Sequence, residues 1–135
     1  MIIDQYDLVV KIYVDINSYK DSTNILTSTI FDPYESYYYL PMDSKTHCFV
    51  NLYFDLCEIE RRKLEESLRA EKNNIHRINE VYNNFLKEFE DKKYSYFKAT
   101  QRGTNESEMQ KYNTIVNEQL GIDNIKLFEP YKSEK

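Results

Sequence analysis

Glycine is almost absent from this sequence, which has 2 glycines among its 135 residues. A phosphate-binding loop needs several closely spaced glycines, because its backbone must approach the phosphate groups. The chain therefore has no P-loop and no dinucleotide-binding fingerprint. It also lacks a nucleophile elbow and a paired-histidine motif, since its two histidines, His47 and His76, are isolated from each other. From these absences we expect no catalytic site.

Cysteines and long apolar runs are equally scarce. Cys48 and Cys57 lack flanking Cys or His partners at zinc-site spacing, and His47, beside Cys48, would point to the opposite face of a strand. We therefore expect reduced thiols, no metal and no cofactor. No apolar run reaches the roughly 18 residues of a membrane span. Residues 1–4 lack the basic and apolar regions of a signal peptide. The sequence therefore predicts a cytoplasmic protein, located in the host cell interior if it is encoded by a phage.

Tyrosine and acidic residues, in contrast, are abundant in one half of the chain. Residues 1–57 contain three lysines and eight aspartates or glutamates, which accounts for the whole formal net charge of −5. The same half contains eight of the 13 tyrosines. Frequent Tyr, Asn, Lys and Ile are typical of codons rich in A and T. This composition favours a phage, a mobile element or a low-GC bacterium as the source.

The longest regular pattern covers residues 58–92, which contain no Gly and no Pro. Its apolar residues recur every three or four positions, with one gap at Glu71, and this is the spacing of one helix face. We therefore predict one long helix, at about residues 56–92, with Asp55 as its N-cap. Its apolar stripe consists of Leu64, Leu68, Ile75, Ile78, Tyr82, Phe85 and Phe89.

This stripe has two interpretations. Packing on the protein's own sheet is favoured, because the aromatic residues near its end are bulky for a tight two-stranded seam. The alternative is a coiled coil with a second copy of the chain. Asn73-Asn74 is the weakest point for helix propensity, and a break there would give a helical hairpin. The apolar register continues across it, which favours one helix.

Strand patterns flank this helix, because several segments alternate between apolar and other residues or are rich in β-branched side chains. We predict strands at residues 6–16, 25–31, 45–55, 94–100 and 125–128, and either a strand or an exposed aromatic loop at residues 36–40. A shorter C-terminal helix, at about residues 105–120, is indicated by Asn105 as N-cap and Gly121 as the stop. The order of elements predicts one α+β domain, residues 1–135, with a mostly antiparallel sheet of four to five strands.

The tyrosine run near residue 38 is the most distinctive candidate surface. Stacked aromatic rings can hold single-stranded nucleic acid, but such sites need a cationic track, and here the neighbours are acidic. Direct nucleic-acid binding is therefore disfavoured, whereas tyrosine is a common anchor of protein interfaces. The alternative is that these tyrosines line the core and a sheet edge. The candidate partner-binding residues are Asp32, Tyr34, Glu35, Tyr37, Tyr38, Tyr39 and Asp43.

Three functions fit these patterns. The favoured one is a small intracellular protein-binding module whose acidic surface engages a protein with a basic surface, without binding a membrane. A phage or mobile-element inhibitor of a host nucleic-acid enzyme, of the anti-defence or nucleic-acid-mimic type, would fit. The first alternative is a homodimeric structural or assembly protein that uses the long helix. The second is a metal-dependent nuclease-like enzyme, in which Asp15 and Asp55, at two strand ends, would hold Mg²⁺.

Overall fold

The largest elements of the fold are two long antiparallel helices, and a β-hairpin packs against them. The computed structural model describes residues 6–20 and 22–132, so residues 1–4, which bear on the signal-peptide prediction, lie outside the described residues. The elements, in chain order, are β1 Tyr6–Asp7, β2 Val10–Tyr19, β3 Ser22–Phe31, β4 Tyr37–Tyr38, α1 Ser44–Ala70, α2 Ile75–Thr100, α3 Glu106–Leu120 and α4 Asn124–Phe128.

The β-hairpin consists of β2 and β3, which correspond to the strands predicted at residues 6–16 and 25–31. They pair antiparallel over their full length, from Val10 opposite Phe31 to Tyr19 opposite Ser22. Lys20 has a φ of 55° where the chain reverses, because tight hairpin turns need positive φ. β1 and β4 form a separate two-stranded ladder. The predicted sheet of four to five strands is therefore wrong, and each sheet of the described residues has two strands.

The prediction of a strand at residues 45–55 is also wrong, because this segment forms the first turns of α1. The alternate residues Cys48, Val50, Leu52 and Phe54 suggested one face of a strand. The spacing of four between Cys48 and Leu52 also keeps these two on one helix face. Both are fully buried. The helix begins at Asp43, whose carboxylate accepts a 2.9 Å hydrogen bond from the N–H of Thr46. Asp55 is therefore inside α1 and is not its N-cap.

The single helix predicted at residues 56–92 is divided at residues 71–74. Asn74 is the N-cap of α2, and its side chain accepts a hydrogen bond from the N–H of Arg77. The chain then reverses, so that Leu68 of α1 and Ile78 of α2 are buried in the same cluster. A continuous apolar stripe does not distinguish one helix from two helices that fold back on each other. Glu71, the gap in that stripe, marks the break.

All the regular elements in the described part of the chain after residue 94 are helices. Residues 94–100, predicted as a strand, are the last turns of α2, and residues 125–128, also predicted as a strand, belong to α4. Tyrosines and phenylalanine suggested a strand in the first segment, but Tyr96 and Phe97 pack in the core between the helices, and Tyr94 is exposed. The predicted C-terminal helix is confirmed as α3, with Asn105 as its N-cap and Gly121, at a φ of 71°, as its C-cap.

The core has two parts. The larger part lies between α1, α2 and α3 and includes Phe49, Tyr96 and Met109. The smaller part lies between the hairpin and the helix pair, where Ile12 and Ile25 contact the helices. The hairpin therefore buries only one of its two faces.

Candidate protein-interaction surface

The turn after β3 contains three of the predicted partner-binding residues. The carboxylate of Asp32 accepts hydrogen bonds from the backbone N–H groups of Tyr34 at 2.9 Å and Glu35 at 3.1 Å. The Lys11 ammonium lies 3.0 Å from Asp32 and 3.3 Å from Glu35. Its hydrogen bond and those of the turn lower the pKa of Asp32 below its usual range. Tyr34 is 96% exposed at the tip of this turn.

The other predicted tyrosines divide into exposed and packed side chains. Tyr39 is 76% exposed, and its ring centroid lies 5.1 Å from that of Tyr37. Tyr38, in contrast, packs its ring on Tyr6 at 5.4 Å and shares a 3.2 Å hydrogen bond with the hydroxyl of Thr46. Tyr38 therefore helps to attach β4 to the start of α1.

Asp43, the last predicted partner-binding residue, caps α1. The N–H of Thr46 donates to its carboxylate and lowers its pKa. Capping gives Asp43 a structural role that does not need a partner. The structure thus brings Asp32 and Glu35 together at Lys11 and places Asp43 at the helix end.

The outward face of the hairpin is an apolar surface that the sequence analysis did not identify. Tyr13, Leu26 and Ile30 point away from the helices and are 52%, 47% and 44% exposed. Lys11 lies opposite Ile30 in the ladder, so the acidic turn continues directly from this face. We call the face and the turn together the hairpin surface. The sequence did contain an indication of this face, because large apolar residues occur at both the odd-numbered and the even-numbered positions of the two strands.

The hairpin is held against α1 by polar contacts along the outer edge of β3. Glu65 accepts hydrogen bonds from the N–H and the hydroxyl of Thr27 at 3.1 and 3.2 Å. Arg69 donates to the carbonyl of Ile25, and Arg61 donates to the hydroxyl of Thr27 at 2.9 Å. These contacts satisfy edge groups that would otherwise be open to pairing with another strand. They fix the orientation of the hairpin and leave its outward face uncovered.

The predicted apolar stripe lies on both helices. Ile75 is 56% exposed at the start of α2. The six other residues pack beneath the hairpin: Leu64, Leu68 and Ile78 in the core, and Tyr82, Phe85 and Phe89 at its margin.

The two aspartates of the nuclease-like alternative lie on different surfaces. Asp15 is on the outward face of β2, where it accepts a 3.5 Å hydrogen bond from Asn17. Asp55 lies in α1 and accepts a 2.8 Å hydrogen bond from Asn124 at the start of α4. Burial raises the pKa of Asp55. No group of three or more metal-ligating side chains occurs in residues 6–20 and 22–132, and none of their helices is long and apolar enough to cross a membrane.

Comparison with protein-family models, with curated proteins and with solved structures gives no match to this chain. Its function is therefore inferred from the geometry of its surfaces.

Proposed function

We propose that this chain is a protein-binding module that engages a partner through the hairpin surface. The observation that supports this is the exposure of Tyr13, Leu26 and Ile30 on one side of a hairpin whose other side is buried. Large apolar side chains that cluster on a surface are typical of interaction sites, and tyrosine is a frequent anchor residue. The hairpin is fixed against α1, so little ordering is needed before it binds.

The charge of this surface favours a partner with a basic binding site. Residues 10–35 contain four carboxylates and two lysines, a formal charge of −2. Three of those carboxylates belong to the hairpin surface: Asp15 lies opposite Leu26, and Asp32 and Glu35 lie in the turn beside Lys11. Complementary charge would speed association, while the apolar side chains would slow release.

The partner class that best fits this chemistry is a host nucleic-acid enzyme, inhibited in the cytoplasm by a phage or mobile-element protein. A site that binds nucleic acid is rich in cations, and an acidic surface with tyrosines is complementary to it. The codon-related composition supports such an origin. The acidic side chains also disfavour direct binding of nucleic acid by this chain.

Affinity capture with matched variants tests the proposed function. The test variant is Leu26→Thr with Ile30→Thr, which replaces exposed apolar groups by a residue that still favours strands. The control is Leu127→Thr on α4, where the native leucine is 69% exposed. We expect a partner to be captured by wild type and by the control, and to be lost with the test variant. A partner captured equally by all three proteins would contradict the use of the hairpin surface, and self-association alone would favour the homodimer.

A further inference from the structure

A groove separates the free edge of β2 from α2. It has a volume of about 430 Å³ and is lined on one side by residues 9–13. Side chains alternate along a strand, so five consecutive residues can line one cavity only along the strand's backbone edge. The opposite wall is α2. The groove therefore exposes a strand edge beside a helix.

The hydrogen-bond pattern between β2 and β3 shows which backbone groups point toward this edge. Val9 accepts a 2.8 Å hydrogen bond from the N–H of Asp32, so odd-numbered residues of β2 bond toward β3. In an antiparallel pair the alternate residues point away. The N–H groups of Val10 and Ile12 therefore face the groove, and neither has a hydrogen-bond acceptor within the described residues. On this edge the Tyr82 hydroxyl donates a long 3.4 Å hydrogen bond to the carbonyl of Ile12.

The two edges of the hairpin thus differ. The outer edge of β3 is covered by Glu65 and Arg69, which satisfy Thr27 and Ile25. Among residues 6–20 and 22–132, only the Tyr82 contact covers the edge of β2. An uncovered edge with free N–H groups is a template for another strand.

The helical wall matches the length of a short strand. Tyr82, Leu86, Phe89 and Lys93 recur every three or four residues and line the groove over roughly 16 Å of helix. Residues 9–13 extend over roughly 13 Å, the length of a segment of about four or five residues. Leu86 is 42% exposed, so it offers an apolar contact to a bound side chain.

The charged side chains of the groove indicate which kind of segment it can bind. Lys93 is neutralised by Asp7 at 2.8 Å, whereas Glu90 has no ion-pair partner within the described residues. Tyr53, which is 4% exposed, also lines the groove. The groove thus combines apolar walls, an acidic group and unused hydrogen-bonding groups.

We propose that this groove binds an extended segment of another protein, which adds to β2 as a third strand. The segment would alternate apolar and polar residues and carry a lysine or arginine that contacts Glu90. Its backbone would bond to Val10 and Ile12, and its apolar side chains would contact Leu86 and Phe89. This site shares Lys11 and Tyr13 with the hairpin surface, but it uses the backbone edge of β2 and the side chains of α2, so it does not depend on the function proposed above.

The test begins with a displayed library of random 12-residue peptides, selected against the whole chain. We expect the selected peptides to bind wild type, and binding to Leu86→Arg to fall at least about tenfold because the arginine fills the groove. The matched control is Leu127→Arg on α4, which should bind normally. Leu26→Thr with Ile30→Thr alters the hairpin surface but not the groove, and should also bind normally.

Two further measurements show whether the peptide binds as a strand. Amide exchange should slow at Val10 and Ile12 when peptide is added and stay unchanged at Lys11 and Tyr13, which already bond to β3. Backbone N-methylation of the peptide should abolish binding at one alternate set of positions and be tolerated at the other, since strand N–H groups alternate in direction.

Three outcomes would overturn the proposal. The first is that no peptide is selected, and the second is that Leu86→Arg binds as well as the Leu127→Arg control. The third is protection of Val10 and Ile12 that rises with protein concentration without peptide, because a second copy of β2 would then occupy the groove.

Discussion

The hydroxyl of Tyr96 on α2 donates a 2.7 Å hydrogen bond to the backbone carbonyl of Phe49 on α1. The two rings stack with their centroids 5.2 Å apart and their planes 4° from parallel. Both residues lie in segments whose sequence suggested strands. Their contact joins the two long helices near the ends farthest from the turn at residues 71–74. The larger core is therefore built around this pair.

Removing the Tyr96 hydroxyl tests this contact. Tyr96→Phe keeps the ring but loses the hydrogen bond, so we expect the free energy of unfolding to fall by about 0.5–1.5 kcal/mol. Tyr94→Phe is the matched control, because Tyr94 is exposed on the same helix and should show little change. Urea unfolding measures both variants. Equal stabilities of the two variants would contradict the placement of Tyr96.

Gly103 tests how the turn after α2 packs on α1. A Cβ atom at Gly103 would lie 2.6 Å from the carbonyl oxygen of Lys45 and 3.2 Å from the Cβ of Phe49. Gly121 also has a positive φ, of 71°, but a Cβ atom there would meet no atom within 4 Å. We expect Gly121→Ala to lower the free energy of unfolding by about 1–2 kcal/mol, from backbone strain alone. Gly103→Ala should lower the free energy of unfolding clearly more than Gly121→Ala does. Thermal unfolding of both variants measures this difference, and equal losses would contradict this packing.

Asp55 gives a prediction about pH. Its folded-state pKa is raised, chiefly by burial, so its ionised form disfavours folding at neutral pH. The penalty is fully present above the folded-state pKa and disappears as the pH falls below the unfolded-state value. Asp55→Asn keeps an acceptor for Asn124 and removes the charge. We expect this variant to be at least as stable as wild type at neutral pH, with the difference shrinking in acid.

Asp123 provides the opposite case. Its pKa is lowered, mainly by the hydrogen bond from the N–H of Lys126 and to a smaller extent by the one from Asn113. Its contribution to folding stability is therefore present above the unfolded-state pKa and lost in acid. Asp123→Ala should therefore destabilise at neutral pH and have less effect at low pH. A stability loss for Asp55→Asn as large as that for Asp123→Ala would contradict the burial of Asp55.

Ile78 tests the helical hairpin. It is buried beneath β2 and β3, whereas Ile75, one turn earlier in α2, is 56% exposed. Ile78→Ala should lower the free energy of unfolding by about 2–5 kcal/mol, because it leaves a cavity in a packed core. Ile75→Ala should change it little. Equal losses for these two variants would indicate that the apolar stripe is buried along its whole length.

Parts of the fold could be read from the sequence because one local pattern determined them. Residues 10–16 alternate as a half-buried strand does, and Asn105 and Gly121 mark the two ends of α3. The segments around Phe49 and Tyr96 could not be read in this way, since aromatic and β-branched residues favour strands unless tertiary packing places them between helices. The break at Asn74 was visible as weak helix propensity, but the register across it suggested continuity.

The candidate surface could be predicted only in part for a similar reason. Exposed Tyr34 and paired Asp32 and Glu35 belong to the hairpin surface, and the sequence singled out all three. Asp43 was grouped with them by proximity along the chain, although it caps α1. Leu26 and Ile30 were missed, because both faces of these strands carry apolar residues. The position of the helices determines which of the two faces is covered. The groove beside β2 depends on the position of α2, which no local pattern specifies.

The most direct test of the hairpin surface is the binding kinetics of the captured partner at low and high salt. Leu26→Thr with Ile30→Thr should speed dissociation, and Glu35→Lys should slow association with a reduced salt dependence, because charge acts mainly on encounter. Leu127→Thr should match wild type in both rates. If the hairpin and Glu35 variants bind at wild-type rates at both salt concentrations, the hairpin surface is not the binding site.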